Sequence, residues 1–410
     1  GQFFVQDSTG GIFVENFRAP GPAPGDVVVV EGVTHPGAFA PIISAPTWRI
    51  IGHAPLPPAK PVLIENLESG VDDGARVEVS GVVRTARVDG QRLTVDLAVG
   101  GYRLQVCAKP PANRDLHSLI AARVRVRGTA ATHYNAALRH LTSVAVYVPT
   151  QEDFTVLEAE TTDPFSQPVI PLNSVAQYRR GGGSAKRVHV RGSVTLQRLG
   201  QDIFLQDTSG GIRIESAHGE RLGLGAQVEA VGFLEYENYL PLLRDATLKL
   251  AGPPAAPMLA RTVPMAEIKN GLHDADFIRV RGRIVARSTR PVTRAATGFA
   301  GVITTWVMQG DEMGITVEHE DQQEDPVLAS IPIGSVVEVD GVCFSDVDAT
   351  GKLRTLRLLL ASADGMRVLA RPSWLTPARL LVGVAILSAG LVLVLLWSLT
   401  VSKKNARLRF

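Results

Sequence analysis

The stretch RVHVRGS at residues 187–193 decides how this chain reads. Val188 and Val190 alternate with charged or polar neighbours, and the alternation runs on through Val194 and Leu196. A period of two marks a strand with one buried face. Gly192 stands where that alternation places an inward side chain. Glycine weakens a strand interior unless the backbone must bend or be approached closely there. Small closed barrels need such bends at their corners. The same pattern recurs as VVVVEGV with Gly32, RVEVSGV with Gly81, RVRVRGT with Gly128, QVEAVGF with Gly232, IRVRGRI with Gly282 and VVEVDGV with Gly341.

The seven strands organise the chain around them. Gly81 and Gly128 flank the hairpin LTVDLAVGGYRLQV, Gly192 and Gly232 flank IFLQDTSGGIRIE, and Gly282 and Gly341 flank WVMQGDEMGITVE. Gly32 follows FFVQDSTGGIFVE and has no partner before it. Each module therefore reads as bent strand, two-stranded hairpin, connection, bent strand and final strand. In the third module the spacing predicts strands over 186–197, 201–207, 211–215, 226–236 and 240–250. That order is expected of a five-stranded Greek-key barrel of the OB type. In the second module a short helix is expected over 114–122. The expected fold class is all-β: four tandem OB-like barrels, the first N-terminally truncated, followed by one transmembrane α-helix.

The modules also group in twos. Residues 1–52 align with 201–252 without a gap, so Gly25, Gly32, Pro41, Thr47 and Gly52 recur as Gly225, Gly232, Pro241, Thr247 and Gly252. Residues 61–83 then match 262–284, which points to duplication of a two-module unit. Each joining segment, IENLESG or MAEIKNG, predicts a short helix ended by Gly70 or Gly271. Proline-rich pieces separate the modules, and YRRGGGSAK (178–186) is the most flexible joint. The expected divisions are module one at 1–60, module two at 61–162, module three at 163–258, module four at 259–372, and the membrane segment with its tail at 373–410.

That last segment is the clearest local feature. Leu380–Val401 carries no charge and, as a helix, is about 33 Å long, enough to cross a bilayer core. Trp374 and Trp397 stand near its ends, where interfacial aromatics belong. Lys403, Lys404, Arg407 and Arg409 follow it, and Arg367, Arg371 and Arg379 precede it. The small basic excess favours a cytoplasmic C-terminus. The lipid bilayer is thus an expected partner through Leu380–Val401.

The chemistry search excludes more than it finds. Net charge is +2, with 20% charged residues, and this balance disfavours nucleic acid as a partner. The two cysteines, Cys107 and Cys343, lie far apart and form no CxxC motif, and nothing in the sequence brings them together. No nucleophile elbow, phosphate loop or zinc-protease motif occurs, so no catalytic residue, metal or cofactor is implied. EHED (318–321) reads as a solvated strand end, since consecutive strand residues point to opposite faces. In the twin stretches, Asp7 and Asp207 are expected to accept backbone N–H bonds across the turn. Gly10–Gly11 and Gly210–Gly211 are expected to supply positive φ. OB barrels commonly bind ligands on strands two and three. On that basis Phe13 and Arg213 on the hairpins, with Tyr236, Asn238 and Tyr239 on the following loop, are the candidate ligand-binding residues.

The repeated pattern FFVQDSTGGIFVE…GDVVVVEG resembles the N-terminal sensor region of certain bacterial membrane-bound sensor histidine kinases. The junction VLARPSWLTPARLL, followed by the apolar helix and LLWSLTVSKKNARLR, is similar to the point where such modules meet the membrane. The resemblance implies modules outside the cytoplasmic membrane, a single pass, a cytoplasmic C-terminus and a dimeric kinase inside. Its partners would be a small ligand or a periplasmic protein, and a second copy of the chain. Residues 1–410 contain no phospho-acceptor helix and no ATP-binding domain, so no kinase residue is assigned to any position. The expected function is the sensor region and membrane anchor of a two-component receptor. The alternatives are a membrane-tethered OB protein that binds single-stranded nucleic acid or oligosaccharide, and a structural stalk.

Overall fold

The computed structural model describes residues 2–110, 116–135, 137, 140–160, 163–176, 186–216, 219–252, 258–294, 298–310, 313–348, 350, 352–372 and 377–407. The chain is mostly β and divides into two compact units, Gly1–Met258 and Leu259–Phe410. Trp374, most of the 178–186 joint and the end of the basic tail lie outside the described residues.

The first unit holds three sheets. The first contains β1 (Phe3–Gln6), β2 (Gly11–Val14), β3 (Asp26–His35) and β4 (Ile42–His53), in the order β1-β2-β4-β3. The second begins with the two-residue β5 (Lys60–Pro61) and helix α1 (Ile64–Ser69), which ends at Gly70 in the left-handed conformation, φ 75°. It continues through β6 (Arg76–Asp89), β7 (Arg92–Val99), β8 (Tyr102–Ala108), β9 (Arg123–Asn135), β10 (His140–Tyr147) and β11 (Phe154–Glu158). Because β6 pairs with both β7 and β9, the pairings run β6-β7-β8-β10-β9 and return to β6. The third is a closed five-stranded barrel of β12 (Arg187–Arg198), β13 (Asp202–Gln206), β14 (Gly211–Glu215), β15 (Gln227–Glu237) and β16 (Leu240–Leu250). Its ring order, β12-β13-β14-β16-β15, with a parallel β14–β16 contact, is the strand order of an OB barrel.

The second unit contains β17 (Arg261–Thr262), α2 (Met265–Lys269), β18 (Phe277–Arg294), β19 (Phe299–Gln309), β20 (Gly314–Asp321), α3 (Pro326–Ala329), β21 (Val336–Val347), β22 (Leu353–Leu360) and β23 (Met366–Ala370). Here β18 pairs with both β19 and β21, so the pairings again return on themselves. Helix α4 (Pro377–Arg407) follows. Within it, Leu380–Ser402 has a mean hydropathy of 2.7 and no buried share, and is long and apolar enough to cross a membrane.

Alternation fills each interior. In the closed barrel Val190, Val194, Ile203, Leu205, Ile212, Ile214, Val228 and Leu243 form one buried cluster. The glycines of the bent strands have a common steric cause. Strand β12 pairs with β15 over Arg187–Ser193 and with β13 over Ser193–Arg198, and Gly192 lies at the changeover. A Cβ there would come within 3.0 Å of the Gln206 carbonyl. Gly81 and Gly282 occupy the matching changeovers of β6 and β18, with a Cβ 2.5 Å from the Ala98 carbonyl and 3.1 Å from that of Gln309. Gly32 and Gly232 differ: each falls inside a register shift, between Glu31 and Val33 or between Val231 and Phe233, so each marks a bulge. Residues 116–122 depart from expectation. The described part is a three-residue 3₁₀ turn, His117–Leu119, that places Leu119 and Ala122 in the core.

Replacing Gly81 with Ala should therefore cost about 1–3 kcal/mol, because backbone and not a flexible side chain occupies the space. Gly52→Ala, with nothing within 4 Å of its Cβ position, should stay within about 0.5 kcal/mol. Denaturant unfolding of the two variants checks this.

Candidate functional site

The twin hairpins are built by their aspartates. Asp7 Oδ1 accepts bonds from the Thr9 N–H (2.7 Å), the Thr9 hydroxyl (2.6 Å) and the Gly10 N–H (3.2 Å). Asp207 Oδ1 accepts from the Ser209 N–H (2.6 Å), the Ser209 hydroxyl (2.5 Å) and the Gly210 N–H (3.0 Å). Its Oδ2 also accepts from the Leu172 N–H at 3.0 Å, which ties the preceding 3₁₀ turn to the barrel. Positive φ at Gly10, Gly11, Gly210 and Gly211 is not observed. A four-residue loop with an internal carboxylate acceptor turns the chain without it. Gly100 and Gly101 do take positive φ, 57° and 92°, in a two-residue turn between Val99 and Tyr102 that has no aspartate.

The five sequence-selected residues fall in different environments. Phe13 packs edge-on against Phe4, with ring centroids 5.1 Å apart. Arg213 is held on β14 by Asp202 (2.8 Å) and Glu237 (2.5 Å). Burial alone would depress its guanidinium, but these two carboxylates outweigh that and raise its pKa. Asn238 and Tyr239 form the two-residue turn between β15 and β16, both left-handed at φ 48° and 67°. A turn of that hand suits Asn, and is unusual for Tyr. Tyr236 and Tyr239 are 57% and 64% exposed. The structure thus leaves two tyrosines on the surface of the barrel and engages the arginine internally.

Much of the rest of that barrel's outer face is covered within the first unit. Phe204 and Phe233 are fully buried, although neither belongs to the barrel interior. Arg84 of β6, 3% exposed, stacks 3.9 Å from the Phe233 ring and lies 3.5 Å from Glu235. Burial pulls the Arg84 guanidinium below the usual arginine value, and Glu235 opposes the shift. Arg103 of β8 reaches Glu235 (3.1 Å) and Asp245 (2.5 Å), and Arg244 reaches Glu235 (2.9 Å) and Glu215 (2.7 Å). Glu235 thus serves three arginines drawn from two sheets.

A concave surface lies elsewhere in the first unit. A cleft of about 1560 Å³ separates the first sheet from the second. Phe3, Phe4, Phe13, Phe39, Tyr134 and Tyr147 border it. That is six of the 23 aromatic residues in the chain (13 Phe, 6 Tyr, 4 Trp), so aromatics concentrate there. Arg92, His133 and Tyr147 also border a depression of about 640 Å³ on the outer face of β6 to β8, together with Arg87 and Gln105. Sequence reasoning missed these residues. The strand-two and strand-three rule had been applied to the hairpins with aspartate, and His133 had been read as part of a turn, HYNAALRH, whose tip lies largely outside the described residues.

Other candidates resolve structurally. His319 of EHED is not solvated: it is buried, and its Nδ1 lies 3.1 Å from the Leu360 carbonyl. Among the described residues no group of three or more His, Cys, Asp or Glu could hold a metal ion. Both cysteines are free and buried, and burial pushes the Cys343 thiol up to about 12.

No known family model matches the chain, and no curated protein matches it. Solved structures similar to it include a Replication Protein A heterotrimer bound to ssDNA, at 8% identity over 77% of this chain and 96% of that one, TM-score 0.20. Another is the OB domain of Ta0387 from Thermoplasma acidophilum, at 16% identity over 24% of this chain and 79% of that one, TM-score 0.15. A third is a structure assigned to an aspartyl-tRNA synthetase from Leishmania major Friedlin, at 14% identity over 28% of this chain, TM-score 0.21; the chain spans about a quarter (24%) of its length.

Two outcomes follow. Removing the Asp207 carboxylate charge as Asp207→Asn should cost about 1–2 kcal/mol at pH 7. Burial alone would raise the Asp207 pKa, but the bonds from Ser209, Leu172 and Gly210 hold it below the usual carboxylate value. Its contribution is therefore present above the unfolded pKa of about 4 and is lost as pH falls through the lower folded value. The difference between the two proteins should shrink accordingly in unfolding curves taken down to acid pH. Separately, Glu235→Ala leaves Arg84 buried without its counter-charge and should cost about 3 kcal/mol. Glu237→Ala, at a more exposed pair, should cost less than about 1 kcal/mol. Denaturant midpoints of the two variants give the comparison.

Proposed function

We propose that this chain is the extracytoplasmic ligand-interaction region, with its membrane anchor, of a two-component signalling receptor. In this reading four OB-type modules, the products of a duplicated pair, form the sensing part. The output kinase belongs to the receptor rather than to residues 1–410. One observation carries the reading. Strand β23 is bonded along β21 of the fourth sheet, and only six residues, 371–376, separate its end at Ala370 from α4 at Pro377. A displacement of that sheet therefore has a short path into the membrane-crossing helix. Signalling then requires only that a ligand or partner protein bind two arrangements unequally. The resemblance of the repeated hairpin and of the membrane junction to histidine-kinase sensor regions supports the same reading, and with it a homodimer.

A second reading is favoured by the depression bordered by Arg87, Arg92, Gln105, His133 and Tyr147. Cations beside an aromatic ring suit a single-stranded nucleic acid or an acidic sugar. A steep fall of oligonucleotide binding with salt would favour it over the receptor reading.

Topology reporters test the first reading. Alkaline phosphatase fused after residue 258 should be active and, fused after residue 410, inactive. A fluorescent protein fused after residue 410 should glow. Deleting 380–401 should release the chain from membranes. Active phosphatase at the C-terminal fusion would remove the receptor proposal.

A further inference from the structure

The gapless repeat makes the first sheet comparable, residue by residue, with the closed barrel. In the barrel, β12 fills the space between β13 and β15 and bonds to both. The residues it pairs with, 202–206 and 227–233, correspond to 2–6 and 27–33. In the first sheet those are β1 and β3, and among the described residues each has a strand neighbour on one side only. The two free edges face a common space, since Gln2–Asp7 and Asp26–Val28 both line the 1560 Å³ cleft.

Burial follows the same comparison. Ile203, Leu205, Ile212, Ile214, Val228 and Leu243 are fully buried in the barrel. Their counterparts are Phe3, Val5, Ile12, Val14, Val28 and Ile43, and of these only Val14 is buried. A sheet with two unpaired edges and a half-exposed apolar interior lacks both backbone partners and side-chain filling. A small molecule can supply the second but not two rows of backbone bonds. An extended polypeptide supplies both.

We propose that the first sheet captures one extended strand of a partner polypeptide between β1 and β3 and closes around it. The chemistry of the occupant is set by β12, which does this in the homologous barrel. It carries apolar residues at alternate positions, as Val188, Val190, Val194 and Leu196 do, and glycine at the crossing, as Gly192 does. This is strand addition, with main-chain bonds for affinity and alternate side chains for specificity. It names a contact for the proposed interaction region. It does not depend on which side of a membrane that region lies, because binding is measured on the purified chain.

The test uses the full chain in lipid nanodiscs and a fluorescein-labelled peptide, RVHVRGSVTLQR, the sequence of 187–198. Anisotropy should show saturable one-to-one binding. Amide hydrogen exchange at residues 3–6 and 27–33 should slow at least tenfold when the peptide is added. A peptide with Val in place of its single Gly should bind at least tenfold more weakly. Val28→Asp in the chain should weaken binding to a similar degree, and unchanged exchange protection of 42–53 shows that the variant still folds. Absence of protection at the two edges would overturn the proposal, as would equal binding of the two peptides. Protein-concentration-dependent protection of the same amides without peptide would also overturn it, because a second copy would then be the occupant.

Discussion

A strand that must bond to two neighbours at once governs this molecule. In the closed barrel β12 leaves β15 and joins β13 within a single residue, Ser193, and the backbone beside it comes too close to the Gln206 carbonyl for any side chain. Gly192 satisfies that constraint, and Gly81 and Gly282 satisfy it in β6 and β18. Without the crossing, a five-stranded sheet of this length stays open and its apolar face stays wet. The first sheet presents that condition: its order is β1-β2-β4-β3, and its counterparts of the barrel core are half-exposed.

The charge distribution follows from how the sheets meet. Much of the outer face of the closed barrel is used within the first unit, where Arg84 stacks on Phe233 and Glu235 gathers Arg84, Arg103 and Arg244. Buried ion pairs of this kind contribute modestly in net terms but are costly to break singly. They fix which faces are free for partners. The Arg213 face is internally engaged, whereas the Arg92 and His133 surface and the cleft beside it stay open.

Much of the fold was readable because period-two alternation and in-strand glycine are local signals. The five strands expected for the third module agree with β12 to β16 within one residue at each end. The short helices before β6 and β18 end as their glycines indicate, with Gly70 and Gly271 at φ 75° and 71°. The turn glycines of the twin hairpins were misread because an aspartate acceptor and a glycine pair each explain a tight turn, and sequence does not say which one sets the backbone. The candidate site was less readable. Arg213 looked available because its partners, Asp202 and Glu237, are 11 and 24 residues away in sequence. His319 looked solvated because its burial depends on Leu360, 41 residues away.

Sequence alone determined the alternating strands, the duplication and the apolar span at 380–401, since each depends on residues close together in the chain or repeated at a fixed interval. Tertiary structure decided which charged groups are satisfied, which faces are covered, and that β1 and β3 present facing edges. Those properties come from residues tens to more than a hundred positions apart, as Arg103 and Asp245 are. Only their distance in space determines whether they meet.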